Sequence, residues 1–430
     1  MKHIQIEFTG KQMTGNAGLT QLGRFAEKLG VEATLKQTLT IERGANAVYQ
    51  AADVVLFLLF GVLAGAQHMN HLALLRNDSV LRTIFQWTVF PVASTLGRIF
   101  RLFTPKHCAE LSAAEGQLRK KVWGTRWRGR VTFDLDSEVQ GVFGTQEGAE
   151  KGYNPKKKGQ RSYHPLLCFV GETRECWHNW FRCGNVFSAN GCVEFAQECF
   201  ARLPKRVWSL WLRGDSAFFN GALLDEAEDR GAHYTIKVRL RGLTKLLASK
   251  TWRQQPNRPD WEVTEFQHHC RGWRRSRRFV AVRHRTETLN TEGLFPVREV
   301  TYEYFCYVTN LNWSPWGVHR YYGQRATSEN WIAWCKGQMA AGRILTQDFW
   351  ANSAVFQTCI LAYNLLVWML WLTMKHALNE EPETIRVWLI HVPARYVERS
   401  RRCRLKLPHD WWAKERWLAL HEALTNLQFM

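Results

Sequence analysis

The sequence has no close cysteine pairs. Its 11 cysteines are scattered from Cys108 to Cys403 without a CxxC spacing, which argues against a zinc ribbon or a disulfide scaffold. Cys176, His178, Cys183, Cys192 and Cys199 come nearest to a ligand set, but Cys176 to Cys183 and Cys192 to Cys199 each have six intervening residues, unlike the roughly two to four of structural zinc sites. The start, MKHIQIEFTG, lacks the apolar core of a secretory signal, so a cytosolic protein with reduced thiols is expected. Acidic residues are scarce: Asp+Glu of 38 against Lys+Arg of 58 leaves a formal charge of +20 and a pI near 9.7. That excess favours a polyanionic partner such as nucleic acid, although a basic membrane-surface protein would share it. Clean membrane-length runs are missing too. Val54 to Ala66 is short, and Ser353 to Met374 contains Gln357, Thr358, Tyr363, Asn364 and Thr373, so both read as buried core helices and no membrane association is expected. There is no internal repeat or low-complexity tract.

What is present is a chain of 430 residues, 46% hydrophobic, enough for roughly two to four structural units. Residues up to about 127 read as mostly helical. Within them PVASTLGRIFRLF, from Pro91, offers Ser94 or Thr95 as an N-cap ahead of an amphipathic run with Arg98 and Arg101 outward, a candidate recognition helix. The texture changes at RGRVTFDLDSEV, where Val131, Phe133 and Leu135 alternate with Thr132, Asp134 and Asp136, the period of a strand with one packed face. Asp134 and Asp136 then point the same way. Two adjacent carboxylates repel in a partly buried setting, and a divalent metal would remove that cost; a solvent-facing edge strand is the competing reading.

A Gly, Pro and Lys-rich loop follows, with Lys156, Lys157 and Lys158 placed to track a phosphate backbone. Further on, VWSLWLR reads as a strand ending at Gly214-Asp215-Ser216, which puts a carboxylate at a strand terminus beside a glycine that permits close approach; capping of the next turn is the alternative. In YYGQRATSENWIAWCKGQ, taken as one helix at roughly 100° per residue, Tyr322, Arg325, Glu329 and Lys336 share one narrow face. An ordinary i,i+4 pair between Arg325 and Glu329 is the plainer reading of part of it.

That last spacing resembles the tyrosine-arginine-glutamate-lysine signature of the DDE transposases of bacterial insertion sequences. The Asp-x-Asp-Ser strand, the Gln-Glu-Gly segment and the KGYNPKKKG loop resemble one branch of them, and the likeness runs from about residue 90 to 375. The resemblance implies a ribonuclease H-like α/β core, a mixed sheet flanked by helices, with Asp136, Asp215 and Glu329 as the catalytic and metal-binding acids. Asp136 is preferred over Asp134 because in that family the metal-binding aspartate directly precedes a small hydroxylated residue, here Ser137. Tyr322, Arg325 and Lys336 would position phosphates without reading bases. Phosphodiester cleavage needs an activated oxygen and relief of charge on the leaving oxygen, for which two hard divalent ions, Mg²⁺ or Mn²⁺, suit an all-carboxylate site.

The long separation of Asp215 from Glu329 calls for an insertion, and the resemblance implies a β-rich one that contacts transposon ends. Trp252, Trp261 and Trp273 beside Arg274 and Arg275 are there either to stack on bases or to form the core and edge of a small sheet. The expected divisions are 1–127, a helical DNA-binding region; 128–240, the first part of the core; 241–302, the insertion; 303–378, the second part of the core; and 379–430, a basic tail and helix. The expected partners are double-stranded element ends and target DNA, with a homodimer or higher oligomer on DNA in the bacterial nucleoid. A nuclease or junction resolvase without strand transfer, and a catalytically silent DNA-binding derivative, are the alternatives.

Overall fold

The computed structural model describes residues 4–124, 129–152, 154, 157–187, 189–290, 297–344, 346–399 and 402–429; for 288–290 and 297–299 the backbone alone is described. The chain forms two compact units, residues 1–126, 144–148 and 332–430 in one, and residues 127–143 and 149–331 in the other. The divisions expected from sequence run differently. Residues from 332 onward join the N-terminal helices, and the 241–302 stretch lies inside the second unit.

In the first unit, α1 (Ala51–Leu63) is apolar around its whole circumference and almost entirely buried, as a core helix must be. The Asp53 side chain accepts from the Gln50 backbone N–H at 2.8 Å and closes its first turn. The amphipathic basic stretch forms α2 (Ala93–Phe100), which buries Leu96, Ile99 and Phe100 and leaves Arg98 exposed. Ser94 and Thr95 are not its N-cap. The Val92 carbonyl accepts from the N–H groups of both Thr95 and Leu96, so the first turn closes earlier and without a side-chain cap. A third helix, α3 (Pro105–Trp123), starts with proline at a position that needs no N–H.

The second unit is built on one nine-stranded sheet. Its strands are β1 (Gly129–Ser137), β2 (Leu166–Val170), β3 (Cys176–Trp180), β4 (Val207–Gly214), β5 (His233–Lys237), β6 (Arg253–Gln255), β7 (Arg258–His268), β8 (Arg277–Asn290) and β9 (Val297–Thr309). The spatial order is β3-β2-β1-β4-β5-β9-β8-β7-β6. β1, β2 and β3 form an antiparallel meander, whereas β1, β4 and β5 run parallel. The parallel steps need crossovers, which α4 (Cys192–Ala201) and α5 (Gly221–Asp229) supply. This is the ribonuclease H-like arrangement. The inserted segment does not fold as a sheet of its own: β9 pairs antiparallel with β5, Tyr307 opposite Lys237, so the insertion prolongs the core sheet.

Two helices follow in this region, α6 (Pro315–Gly323) and α7 (Ala326–Gly337). The first unit then resumes with α8 (Phe349–Thr373), packed on α1 and α3. By length and composition α8 is apolar enough to cross a membrane, but 94% of its most apolar window is buried inside the fold. Its fully buried Asn364 donates to Glu115 of α3, which pairs with Arg119 at 2.8 Å. A buried polar group costs free energy unless bonded in this way. The chain ends in α9 (Lys414–Asn426).

Candidate active site

β1 lies between β2 and β4 and is buried on both faces, which excludes the edge-strand reading of its acidic alternation. Asp134 and Asp136 share one face but meet different partners. Arg213 of β4 donates to both Asp134 oxygens, from Nε at 2.6 Å and from Nη2 at 2.7 Å, with both residues buried. Asp136 lies at the opening of the sheet. Its Oδ1 accepts from the Ser137 backbone N–H at 2.8 Å and its Oδ2 pairs with Arg325 Nη2 at 2.7 Å.

Asp215 follows directly on β4. Its Oδ1 accepts from the Ala217 N–H at 2.9 Å, so it caps the short turn Ser216–Phe218 and also faces the same opening. The signature segment is not the single helix its spacing predicts. The chain breaks at Gln324 and Arg325: Tyr322 sits in the last turn of α6, Arg325 in the connection, Glu329 in the first turn of α7 and Lys336 in its last turn. Gly323 weakens helix continuity, and the buried Arg325 turns inward, donating from Nη2 to the Leu135 carbonyl at 3.2 Å as well as pairing with Asp136. Glu329 stays 69% exposed, with Arg325 Nη1 3.8 Å away.

Asp136, Asp215, Ser216, Lys237, Tyr322, Arg325 and Glu329 line one open pocket of about 310 Å³. Burial pushes the Asp136 carboxyl up to about 6; Arg325 opposes the rise, and the nearby carboxylates of Asp215 and Glu329 add to it. Burial likewise pushes the Tyr322 hydroxyl to about 12, so it is a neutral donor at ordinary pH. Among the described residues no three Asp, Glu, His or Cys side chains close on a single point. The three acids instead rim a polar pocket from three chain segments. All-oxygen donors, mutual repulsion and an open approach fit hard divalent cations that keep part of their water shell.

The other expected contacts lie elsewhere. Lys156 falls outside the described residues. Lys157 and Lys158 are exposed, with Lys157 Nζ 5.8 Å from the Phe143 ring centroid. Arg274 and Arg275 are exposed and approach Asp229 and Glu228 of α5 at 3.7 and 3.5 Å, outside the pocket. The tryptophans of the insertion are half-buried against neighbouring side chains. Trp261 stacks on His284 at 4.3 Å, Trp273 lies 5.0 Å from Phe219, and Trp252 lies under Arg283. His178, once a possible ligand, bonds Glu198 at 2.6 Å. Lys336 is half-buried at the end of α7, beyond the pocket lining.

Sequence reasoning missed Lys237 and Ser216. Lys237 ends β5 as Asp215 follows the end of β4, and the same strand-terminus argument would have found it. Among the described residues no carboxylate pairs with Lys237, which makes it the uncommitted cation of this pocket.

A family model described as transposase DDE domain group 1 matches residues 1–429. No curated protein matches. Among solved structures, a piggyBac transposase synaptic complex with hairpin DNA is similar at 13% identity and a TM-score of 0.45, over 86% of this chain and 78% of that one.

Proposed function

Because the chain belongs to the transposase DDE domain group 1 family, enzymes of metal-dependent DNA cleavage and strand transfer, we propose that it acts on the inverted-repeat ends of an insertion sequence. It frees their 3′-hydroxyls and joins them to target DNA. The observation that carries this reading is the convergence of Asp136, Asp215 and Glu329, from a central strand, a strand end and a helix, on one pocket. These three residues would hold two Mg²⁺ or Mn²⁺ ions, which when bound activate the attacking oxygen and offset charge on the leaving one.

The rest of the work falls to the chain itself. Arg325 holds Asp136 in place from below and limits its repulsion with the other acids. Tyr322 donates from a fixed phenol, its ring packed 4.6 Å from Tyr307. Lys237 takes a phosphate oxygen. Outside the pocket, Lys157 and Lys158 meet the phosphate backbone of the flanking duplex, and Arg98 is a separate phosphate contact of the helical unit.

The deciding experiment incubates the protein with end-containing DNA and a supercoiled target in Mg²⁺. Joined products are expected; nicking without joining would leave a nuclease instead. Short inverted repeats bounded by a direct duplication are expected around the coding region.

Two further outcomes follow from the placement of the cations. Lys237→Ala should lower strand transfer by about ten- to a hundredfold, the worth of one hydrogen bond to a charged group, with end binding nearly unchanged in a gel-shift titration. Replacing both Lys157 and Lys158 by alanine should weaken binding evenly across DNA sequences and flatten the log K against log salt slope by about 2. A slope equal to the parent's would remove the loop from the interface.

A further inference from the structure

We propose that Arg213 is a positioning residue that sets the spacing of the three carboxylates, a role that rests on the assignment of Asp136, Asp215 and Glu329 as metal ligands. Arg213 is 3% exposed. Nε and Nη2 are spent on the two Asp134 oxygens, and Nη1 donates to the Tyr321 carbonyl at 3.1 Å. Each of these groups lies just ahead of a pocket residue. Asp134 precedes Asp136 on β1, and Arg213 of β4 precedes Asp215, which follows directly on that strand. Tyr321 immediately precedes Tyr322 at the end of α6, from which the chain turns through Arg325 to Glu329. One rigid, planar group therefore gauges all three segments that carry the acids.

The two strands are already in register, Asp134 opposite Arg213, through their backbone ladder. The end of α6 is not part of that sheet, and the Arg213 bond to Tyr321 helps hold it there. The Tyr321 ring covers the guanidinium, 4.9 Å from its central carbon. Gly171 leaves room for Nη2: a Cβ at that position would stand 3.2 Å from it. Lysine, a single point donor, cannot reproduce three bonds in one plane. Arg213 thus acts on Glu329 relative to the two aspartates more than on the aspartates relative to each other.

The test is Mn²⁺ titration of the full chain by electron paramagnetic resonance, alongside thermal melting. The proteins compared are the parent, Asp136→Asn, Arg213→Lys and the double variant Asp134→Leu/Arg213→Met. The double variant removes both buried charges together, so net charge is kept, and such exchanges are often neutral for stability. Its melting temperature is expected to stay near the parent's while Mn²⁺ binding weakens about ten- to a hundredfold, the usual cost of losing an outer partner of a metal site. Arg213→Lys keeps the buried charge, is expected to weaken binding too, and decides the matter if the double variant does not fold. Parent-like Mn²⁺ binding by a folded double variant, or by folded Arg213→Lys, with binding lost in Asp136→Asn, would overturn the positioning role alone. Parent-like binding by Asp136→Asn would overturn the ligand assignment and the positioning role with it.

Discussion

Glu329→Gln is expected to lose strand transfer and end cleavage by at least about a thousandfold, because a partner one bond removed from a metal already costs roughly 10- to 100-fold and a direct ligand must cost more. The measurement is single-turnover cleavage and joining of end DNA in Mg²⁺. The fold should not notice the change. Glu329 is 69% exposed and its contact to Arg325 is 3.8 Å long, and exposed pairs of this kind contribute about 0–1 kcal/mol. An unchanged melting temperature with activity gone would separate chemistry from stability in a way Asp136→Asn cannot. Removing the Asp136 charge also strips the buried Arg325 of its close partner, so that variant should lose both activity and stability. Asp215→Asn lies between the two, since an asparagine oxygen still accepts from the Ala217 N–H. More than a tenth of parental joining by Glu329→Gln would sink the assignment of this acid.

The second large effect concerns stability alone. Arg386→Leu should destabilise the first unit by about 3 kcal/mol or more, from the loss of three hydrogen bonds made by a charged group at about 1.5–3 kcal/mol each. Arg386 is 4% exposed and donates to the carbonyls of Val62, Leu63 and Gln338 at 2.7–2.9 Å. The first two are last-turn carbonyls of α1; the Val62 oxygen also accepts from the Gly65 N–H and the Gln338 oxygen from Gln67 Nε2, while the Leu63 oxygen takes Arg386 Nε as its donor. A cation there also favours the negative end of the helix. Burial pushes the Arg386 pKa down to about 10, with Glu383 working the other way, so the side chain is still charged at neutral pH. Urea unfolding followed by tryptophan fluorescence is the check, and a loss below about 1 kcal/mol would show that water replaces the guanidinium at little cost.

Much of the core was open to reading from the chain in order. The period-two alternation around Asp134 and Asp136, the strand running into Gly214-Asp215, and the polar spacing from Tyr322 to Lys336 are patterns of near neighbours. Three features were not open. The insertion reads as β-rich but not as an extension of the main sheet, because its attachment is the pairing of Tyr307 with Lys237 across a long stretch of chain. The signature reads as one helix because its side-chain period is helical, yet Arg325 is drawn out of that helix by Asp136 and the Leu135 carbonyl. The tryptophans of the insertion leave two readings open in sequence, base stacking or sheet packing, because the rings they meet, such as His284 beside Trp261, come from other strands.

The sequence by itself determined that two aspartates share a face, that a third sits at a strand end, and that a glutamate lies on a helix, since each follows from the geometry of adjacent residues. Only the tertiary structure decided what each acid faces. Asp134 and Asp136 are equivalent by period, and the difference between them comes from Arg213, 79 residues away on the neighbouring strand, and from Arg325 beyond the insertion. No local rule encodes such partners, because they are chosen by how the strands and helices come together.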